Sequence, residues 1–345
     1  MGVYISDSNG KLQKFAGLGK KDIMPTENSK NAVESGGVYS FVNNAISSLE
    51  NLALSWGHDN LLINGNFVVN QRGSASYSTN TGYTVDRWIL RGSCTVVPQA
   101  NRGVKITSTN TEICGIFQSI ENYGFLLGKT VTISCKISNV SAASSTKFYF
   151  GLCNANQSYS VGTLLSPENL VNPANGIYSV TTTLPSSLAN NLLNVFVVFA
   201  HNRNQSGDTL TVEWIKMEMG NVATSFSPRP YAEELSLCQR YYIKIKGDTG
   251  YGLVGTGFVY SSSRAFISVP LPTTMRTSPT YGGGGTRRLL VSAGYKDYSS
   301  FSVDSISPHT ISCRIDGSGF TAGQGCGFYF YNDTSAYIDF DAEIY

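Results

Sequence analysis

The runs "DTGYGLVGTG", "TYGGGGTRR" and "SAGYKDYSSF" place Tyr251, Tyr281, Arg287, Tyr295, Tyr298 and Phe301 among glycines, serines and a few charges. Tyrosine offers a rigid apolar area with a polar tip, which suits stacking on a sugar ring and equally suits a subunit contact. The chain has 20 tyrosines in 345 residues, and Tyr329 and Tyr331 also stand at outward strand positions. The chemistry these side chains offer is stacking and hydrogen bonding. The six residues named first are the glycan-contact candidates, with subunit contact as the alternative for each.

Bond-breaking chemistry has little to stand on. His58, His201 and His309 lie in three separate segments, and no G-x-S-x-G elbow occurs. Glycoside cleavage needs two carboxylates flanking one bond. Here Asp339, Asp341 and Glu343 alternate with Ile338, Phe340, Ala342 and Ile344, which reads as one buried and one acidic, wet face. Glu233 and Glu234 sit in a helical run and read as solvated too. No catalytic residue is expected. "TYGGGGTRRLL" lacks both the strand-to-helix context and the Lys-Ser/Thr pair of a phosphate cradle, so its four glycines read as a mobile loop. The "DRW" at 86–88 reads either as an aromatic sugar platform or as an Asp86–Arg87 pair with Trp88 in the core, and the apolar "WILR" continuation favours the core.

The seven cysteines (94, 114, 135, 153, 238, 313 and 326) are never spaced C-x-x-C. Cys135 in "VTISCKI" and Cys313 in "TISCRI" fall at alternating core positions, where a free thiol acts as a small apolar group. Neither zinc nor a disulfide framework fits, no metal or cofactor is expected, and the thiols suit a reducing cytoplasm.

The elements that must carry these residues follow from periodicity. "VYISD", "SNGK" and "LQKFAGL" read as a β-hairpin within an N-terminal element and linker over 1–34. In 35–57, Val38, Val42, Ala45, Leu49, Leu52 and Trp56 recur at spacings of four, three, four, three and four. That is a coiled-coil seam too narrow to anchor on a globular face, so the helix is expected to pack in parallel on copies of itself, capped by Trp56. From 58 to 231 the period becomes two: "KTVTISCKI", "TKFYFGLC", "GIYSVTTTL" and "TLTVEW" alternate between turn signals, predicting a β-sandwich. "LNVFVVFA" is apolar on both faces and reads as a central strand beneath further cover. In "TVEWIKMEM" the apolar parity switches between Trp214 and Ile215, predicting a β-bulge and a core Trp214. A short helix over 232–242 joins this domain to an all-β head over 243–345. The fold class is thus mainly β: an N-terminal β element, a coiled-coil helix, then two β-sandwich domains.

Composition narrows the partners. Charged residues are 14% of the chain and the formal net charge is +2, without the basic stripe that phosphate backbones require. No nucleic-acid partner is expected. "MGVYISDSNGKLQKF" lacks the apolar core of a secretory signal, and no apolar run reaches membrane-spanning length, so no membrane insertion is expected.

Three stretches carry a resemblance. "KKDIMPTENSKNAVESGGVYSFV" resembles a segment common near the N-terminus of tailed-phage and prophage fibre proteins. "NLLINGNFVVNQRG" followed by "GYTVDRW" looks like the opening of their carbohydrate-binding-module-like, jelly-roll sandwich, and "WIKMEMGNVATSFSPRPYAEELSLCQRYY" like its last strand and exit helix. The family implies a homotrimeric, non-enzymatic virion protein, made in the host bacterial cytoplasm and attached to other virion proteins through its N-terminus. It implies binding to a host-surface glycan without cleavage, with a purely structural virion or head-decoration fibre, or a polysaccharide-degrading enzyme, as the alternatives. A fibre anchored at its N-terminus exposes its far end first, so the receptor contacts are expected in 243–345. Such modules often hold a structural calcium ion, but "NGNFVVNQRG" lacks the acidic side chain and only Glu213 and Glu218 remain, too few carboxylates to expect the ion.

Overall fold

The computed structural model describes residues 4–6, 12–14, 38, 41, 42, 60–154, 163–167, 170–189, 191–200 and 202–344. The chain divides into two units, Met1–His58 and Asp59–Tyr345. In the first, β1 (Tyr4–Ser6) and β2 (Leu12–Lys14) pair antiparallel with Ile5 opposite Gln13, as the hairpin reading expects. Val38, Phe41 and Val42 are helical, and their side chains are exposed. The rest of the expected seam (Ala45, Leu49, Leu52 and Trp56) lies outside the described residues.

The second unit holds two sandwiches with separate cores. The first runs through β3 (Ile89–Gly92), β4 (Cys94–Pro98), β5 (Val104–Ser108), β6 (Cys114–Ser119), β7 (Thr130–Ser141), β8 (Phe148–Asn154), β9 (Thr163–Leu164), β10 (Gly176–Thr183), β11 (Asn194–Phe199) and β12 (Thr209–Met219). Its two five-stranded sheets have the orders β10-β7-β12-β5-β4 and β3-β6-β11-β8-β9. Alternation does the sorting. Val131, Ile133, Cys135 and Ile137 of β7 enter the core, while Thr132 and Thr181 bridge hydroxyls across the opposite face at 2.9 Å. Trp88 is fully buried, its ring 5.0 Å from Phe67 and its Nε1 donating to the Asn64 carbonyl. The core reading of Trp88 holds, but Asp86 and Arg87 do not pair with each other. β11 is buried along its whole length at the centre of its sheet, as its two-faced apolarity requires: Phe196 and Val198 pack with Tyr149 and Ile113 behind it.

The expected bulge in β12 falls one residue earlier, between Val212 and Trp214. It lets Val212 and Ile215 both enter the core, leaving Trp214 outside that core but stacked on Phe226 at 4.9 Å. Burial of Trp214 therefore comes from the strand's exit segment and not from the sandwich interior.

The exit helix α1 (Tyr231–Gln239) is pinned by charge. Glu234 is buried, accepting the Asn64 N–H at 2.5 Å and pairing with Arg229 at 3.2 Å, while Arg229 also donates to the Leu62 carbonyl. This corrects the solvated reading of Glu234. A helix with one weak apolar stripe has been docked by a carboxylate that a backbone donor and a guanidinium satisfy.

The second sandwich comprises β13 (Tyr242–Lys246), β14 (Tyr251–Ser261), β15 (Arg264–Pro270), β16 (Thr280–Gly284), β17 (Arg287–Val291), β18 (Gly294–Lys296), β19 (Tyr298–Ile306), β20 (Thr310–Gly317), β21 (Gly325–Tyr331) and β22 (Tyr337–Asp341). A three-stranded sheet, β13-β22-β16, packs on a seven-stranded one, β18-β17-β21-β14-β15-β20-β19. The glycine run expected as a mobile loop is strand β16, paired with β22. A Cβ at Gly282 would lie 2.1 Å from Asp339 Oδ1, so the glycine makes room for that carboxylate.

The acidic face of β22 is not wet. Asp339 accepts the Tyr242 hydroxyl at 2.7 Å, Asp341 lies 3.5 Å from Arg72, and buried Glu343 pairs with Arg87. Arg72 and Arg87 belong to the first sandwich, so this face joins the two sandwiches. Their guanidiniums lie over Tyr242 and Tyr241 at 3.8 and 3.5 Å. Burial is the largest influence on Arg87 and opposes its charge, but Glu343, Tyr83 and Tyr241 together outweigh it and hold the pKa above its ordinary value.

Candidate functional site

β14 and β21 run at the middle of the seven-stranded sheet, and their outward positions set the surface. In "GFYFY", Phe328 and Phe330 point into the core and Tyr329 and Tyr331 point out. The register puts Tyr251 opposite Tyr331, Leu253 opposite Tyr329, and Arg288 of β17 beside Tyr329 on its other flank. Tyr295 of β18 completes the group.

The rings form a contiguous cluster. Tyr251 and Tyr331 are 5.4 Å apart at 81°, Tyr295 and Tyr331 4.7 Å at 62°, and Tyr295 and Tyr329 5.9 Å at 88°. Successive rings stand steeply to one another, so the surface offers faces and edges in a notched row and not a flat plate. The Arg288 guanidinium lies 4.3 Å from the Tyr331 ring centre and pairs with exposed Asp297 at 2.8 Å. Gly327 keeps the notch open, because a Cβ there would lie 2.7 Å from the Tyr329 ring.

The hydroxyls distinguish this cluster from Tyr241, Tyr242 and Tyr281. Those of Tyr241 and Tyr242 donate to Glu121 and Asp339, and that of Tyr281 accepts from Arg287 at 2.8 Å. Among the described residues, the hydroxyls of Tyr251, Tyr295, Tyr329 and Tyr331 have no hydrogen-bond partner. Four polar tips on half-exposed rings are left for solvent or a ligand.

The six candidates therefore do not share a face. Tyr251 and Tyr295 lie in the outer cluster. Tyr281, Tyr298 and Phe301 pack on the core from the other side, where the tilted rings of Tyr281 and Phe301 have centres 4.9 Å apart and Arg287 lies 5.6 Å over Phe301. Burial raises the pKa of Tyr281 and Tyr298 above the ordinary tyrosine value, with Arg287 opposing. Arg288, not Arg287, reaches the outer face. The alternation in "RRLLV", where Leu289 and Val291 are buried, is the signal that separates the two arginines. Leu253, Phe258 and Tyr260 also lie outward on β14 and more than half exposed; their loop-like glycine spacing hides them in the sequence.

Among the described residues, no group of His, Cys, Asp and Glu could hold a metal ion, and no helix is long and apolar enough to cross a membrane. Glu213 pairs with Lys136 and Arg102, and Glu218 with Lys216, so both carboxylates left from the calcium pattern already have cations.

No family model matches the chain, and no curated protein matches it. Among solved structures, it is similar to the C-terminal family 22 carbohydrate binding module of Clostridium thermocellum Xyn10B, with 18% identity over 44% of this chain and 99% of that one, at a TM-score of 0.31. It is similar to the N-terminal tandem of two such modules from Paenibacillus barcinonensis Xyn10C, with 13% identity over 78% and 95%, at 0.29. A Stig cyclase from Fischerella sp. TAU aligns with 11% identity over 46% and 96%, at 0.30. TM-scores this low carry no argument about what this chain binds or does. The mainly β, sandwich architecture stands on its own sheets.

Proposed function

We propose that the chain is a non-enzymatic, fibre-type virion protein that binds a host-surface glycan, through the outer face of its seven-stranded sheet. The observation that carries this reading is the cluster of Tyr251, Tyr295, Tyr329 and Tyr331 with unengaged hydroxyls beside Arg288. Rings supply stacking area, and hydroxyls and guanidinium supply directed hydrogen bonds to sugar hydroxyl or acid groups. The fibre assignment is supported by the N-terminal "PTENSKNAVESGGVY" stretch and its placement before a sandwich. Three copies would join in parallel through Val38, Val42, Ala45, Leu49, Leu52 and Trp56, and exposure of Val38, Phe41 and Val42 in the single chain supports this.

A second reading, a structural fibre without receptor, has its own support. Phe258, Tyr260 and Phe266 cluster at the opposite end of β14, and two of them are more than half exposed. A largely apolar group with a single hydroxyl, that of Tyr260, suits a subunit contact.

A glycan array probed with the full chain, its Tyr331→Ala variant and its Arg288→Ala variant separates these readings. Binding that both variants weaken at least tenfold supports the glycan site. No bound glycan, or binding that neither variant changes, overturns it. Light scattering should return three times the 37.3 kDa chain mass. A monomer would refute the seam.

A further inference from the structure

The outward positions of the seven-stranded sheet continue past the tyrosine cluster along β14. Leu253, Thr256 and Phe258 align with Tyr329, Gly327 and Gly325 of β21, and Thr256 and Phe258 also face Ser268 and Phe266 of β15. Small residues therefore floor the middle of the face, and a Cβ at Gly325 would meet nothing within 4 Å. Aromatic rings stand at both ends. At the far end Phe266 holds Phe258 at 6.0 Å and Tyr260 at 5.8 Å.

Each end also carries guanidiniums whose forks are left open. Nε of Arg288 is closed to solvent with Asp297 2.8 Å away, and its terminal nitrogens make no hydrogen bond among the described residues. At the far end the register sets Asp316 beside Arg264 and Arg314 beside Phe266. Arg264 and Arg314 share that one carboxylate: their Nε atoms donate to Asp316 Oδ1 at 2.9 Å and Oδ2 at 3.1 Å, and Ser300 donates to Oδ2 at 3.2 Å. Their terminal nitrogens too have no hydrogen-bond partner among the described residues.

Building on the glycan reading above, we propose that this face is one continuous track for a linear anionic polysaccharide, laid along β14 with acid groups on the arginine forks at its two ends.

Charge decides the class. The two ends hold three guanidiniums against two carboxylates, and the Asp297 side chain is 80% exposed, so its pair with Arg288 is weak and yields to a ligand. A planar fork takes a carboxylate through two parallel charge-assisted bonds, which a neutral sugar hydroxyl cannot match. Length decides the polymer. From the level of Tyr329, beside Arg288, to Arg264 takes four residue steps along β21 and two along β15. That is roughly 20 Å at about 3.3 Å per residue, beyond the reach of a single sugar ring. Spacing separates this chain from single-stranded nucleic acid, whose phosphate at every unit calls for a continuous basic groove. Here the middle positions are Thr256, Ser268 and glycines, and carry no cation.

Affinity electrophoresis of the full chain tests this, with polygalacturonate, alginate and hyaluronate as acidic probes. Dextran and pullulan serve as neutral probes and oligothymidylate as the phosphate chain. At least one uronate polymer should retard the protein, and added salt should release it as the exposed charges are screened. Arg288→Gln and the double change Arg264→Gln, Arg314→Gln should each weaken that binding about tenfold. Free galacturonate and glucuronate should compete poorly. Retardation by no uronate polymer, equal retardation by the neutral polymers, tighter binding of oligothymidylate, or no effect of the double change overturns the track. Each of these leaves the glycan reading standing where the array returns a bound glycan, and an array with none overturns both. Tyr260→Ala that lowers the mass seen by light scattering while uronate binding is unchanged would make the far end a subunit contact, and also overturns the track.

Discussion

Arg87 and Glu343 are 256 residues apart in the sequence and paired in the fold, with neither side chain reaching solvent. Arg87 sits at the turn entering the first sandwich's sheet with φ of 72°, a left-handed conformation that bulky residues rarely adopt. Glu343 follows the last strand of the second sandwich. The same guanidinium donates to the Ser119 carbonyl at 2.9 Å and lies over Tyr241. The two sandwiches are thereby held as parts of one compact unit, and the outer tyrosine face is presented on a fixed base.

Glu343→Ala is expected to cost about 3–5 kcal/mol, because it leaves a buried guanidinium without its carboxylate. Calorimetry should show the single transition broaden or split as the sandwiches melt separately. An Arg87→Met, Glu343→Leu double variant should recover much of the loss. Unchanged melting in Glu343→Ala would show the pair to be dispensable. The same geometry predicts that deleting 243–345 destabilises the first sandwich, so loss of adsorption in that deletion would not by itself locate a receptor site.

Asp86 supplies a pH dependence. Burial is the leading cause that raises its pKa from 3.8 to about 6, opposed by Arg72 and by the two donors of Gln71. An acid whose folded pKa is raised binds its proton more tightly in the folded state. Between about pH 4 and 6 the folded state holds the extra proton, so this group's contribution is favourable below that window and is lost as pH rises through it. The shift of about two units corresponds to roughly 3 kcal/mol at most. Melting curves across that window should slope less in Asp86→Asn than in the native sequence; equal slopes would remove Asp86 as the cause.

Gly282→Ala should destabilise the second sandwich. The added methyl meets Asp339 Oδ1 at 2.1 Å, and Asp339 is held in place by Tyr242. Moving that carboxylate disturbs β13 and β22 together, at a cost of about 1–3 kcal/mol for an overpacked site. Gly294→Ala is the contrasting variant: its Cβ meets nothing, but its φ of 98° disfavours a side chain. Only Gly282→Ala should be rescued in part by Asp339→Ala.

Phe301→Ala should lower stability and leave ligand contact intact. Its ring stacks on Phe328 at 5.1 Å and packs at a tilt against Tyr281, behind the sheet. A loss of about 2–4 kcal/mol follows from the cavity left in the core. With the protein kept well below its melting temperature, glycan binding should equal that of the native sequence. Weaker binding there would place the ligand on the inner side.

The sequence by itself determined which residues share a face. Alternation in "VTISCKI" and "GFYFY", the apolar run of β11 and the core Trp88 all rest on local geometry, while the parity switch in "TVEWIK" announces a bulge but misplaces it by one residue and Trp214 with it. A strand sends successive side chains to opposite sides whatever lies beyond. Tertiary structure alone decided what covers each face. Asp339, Asp341 and Glu343 alternate as any solvated strand edge would, and only Arg72 and Arg87, brought in from far along the chain, turn that edge into a buried joint. "GGGG" reads as a loop until β22 pairs with it. Tyr281 and Tyr295 are similar in local sequence, yet one hydroxyl is bound by Arg287 and the other is left open. Period fixes the side of the sheet a residue takes, and long-range pairing, which no local pattern encodes, decides whether that side meets water, ligand or another sheet.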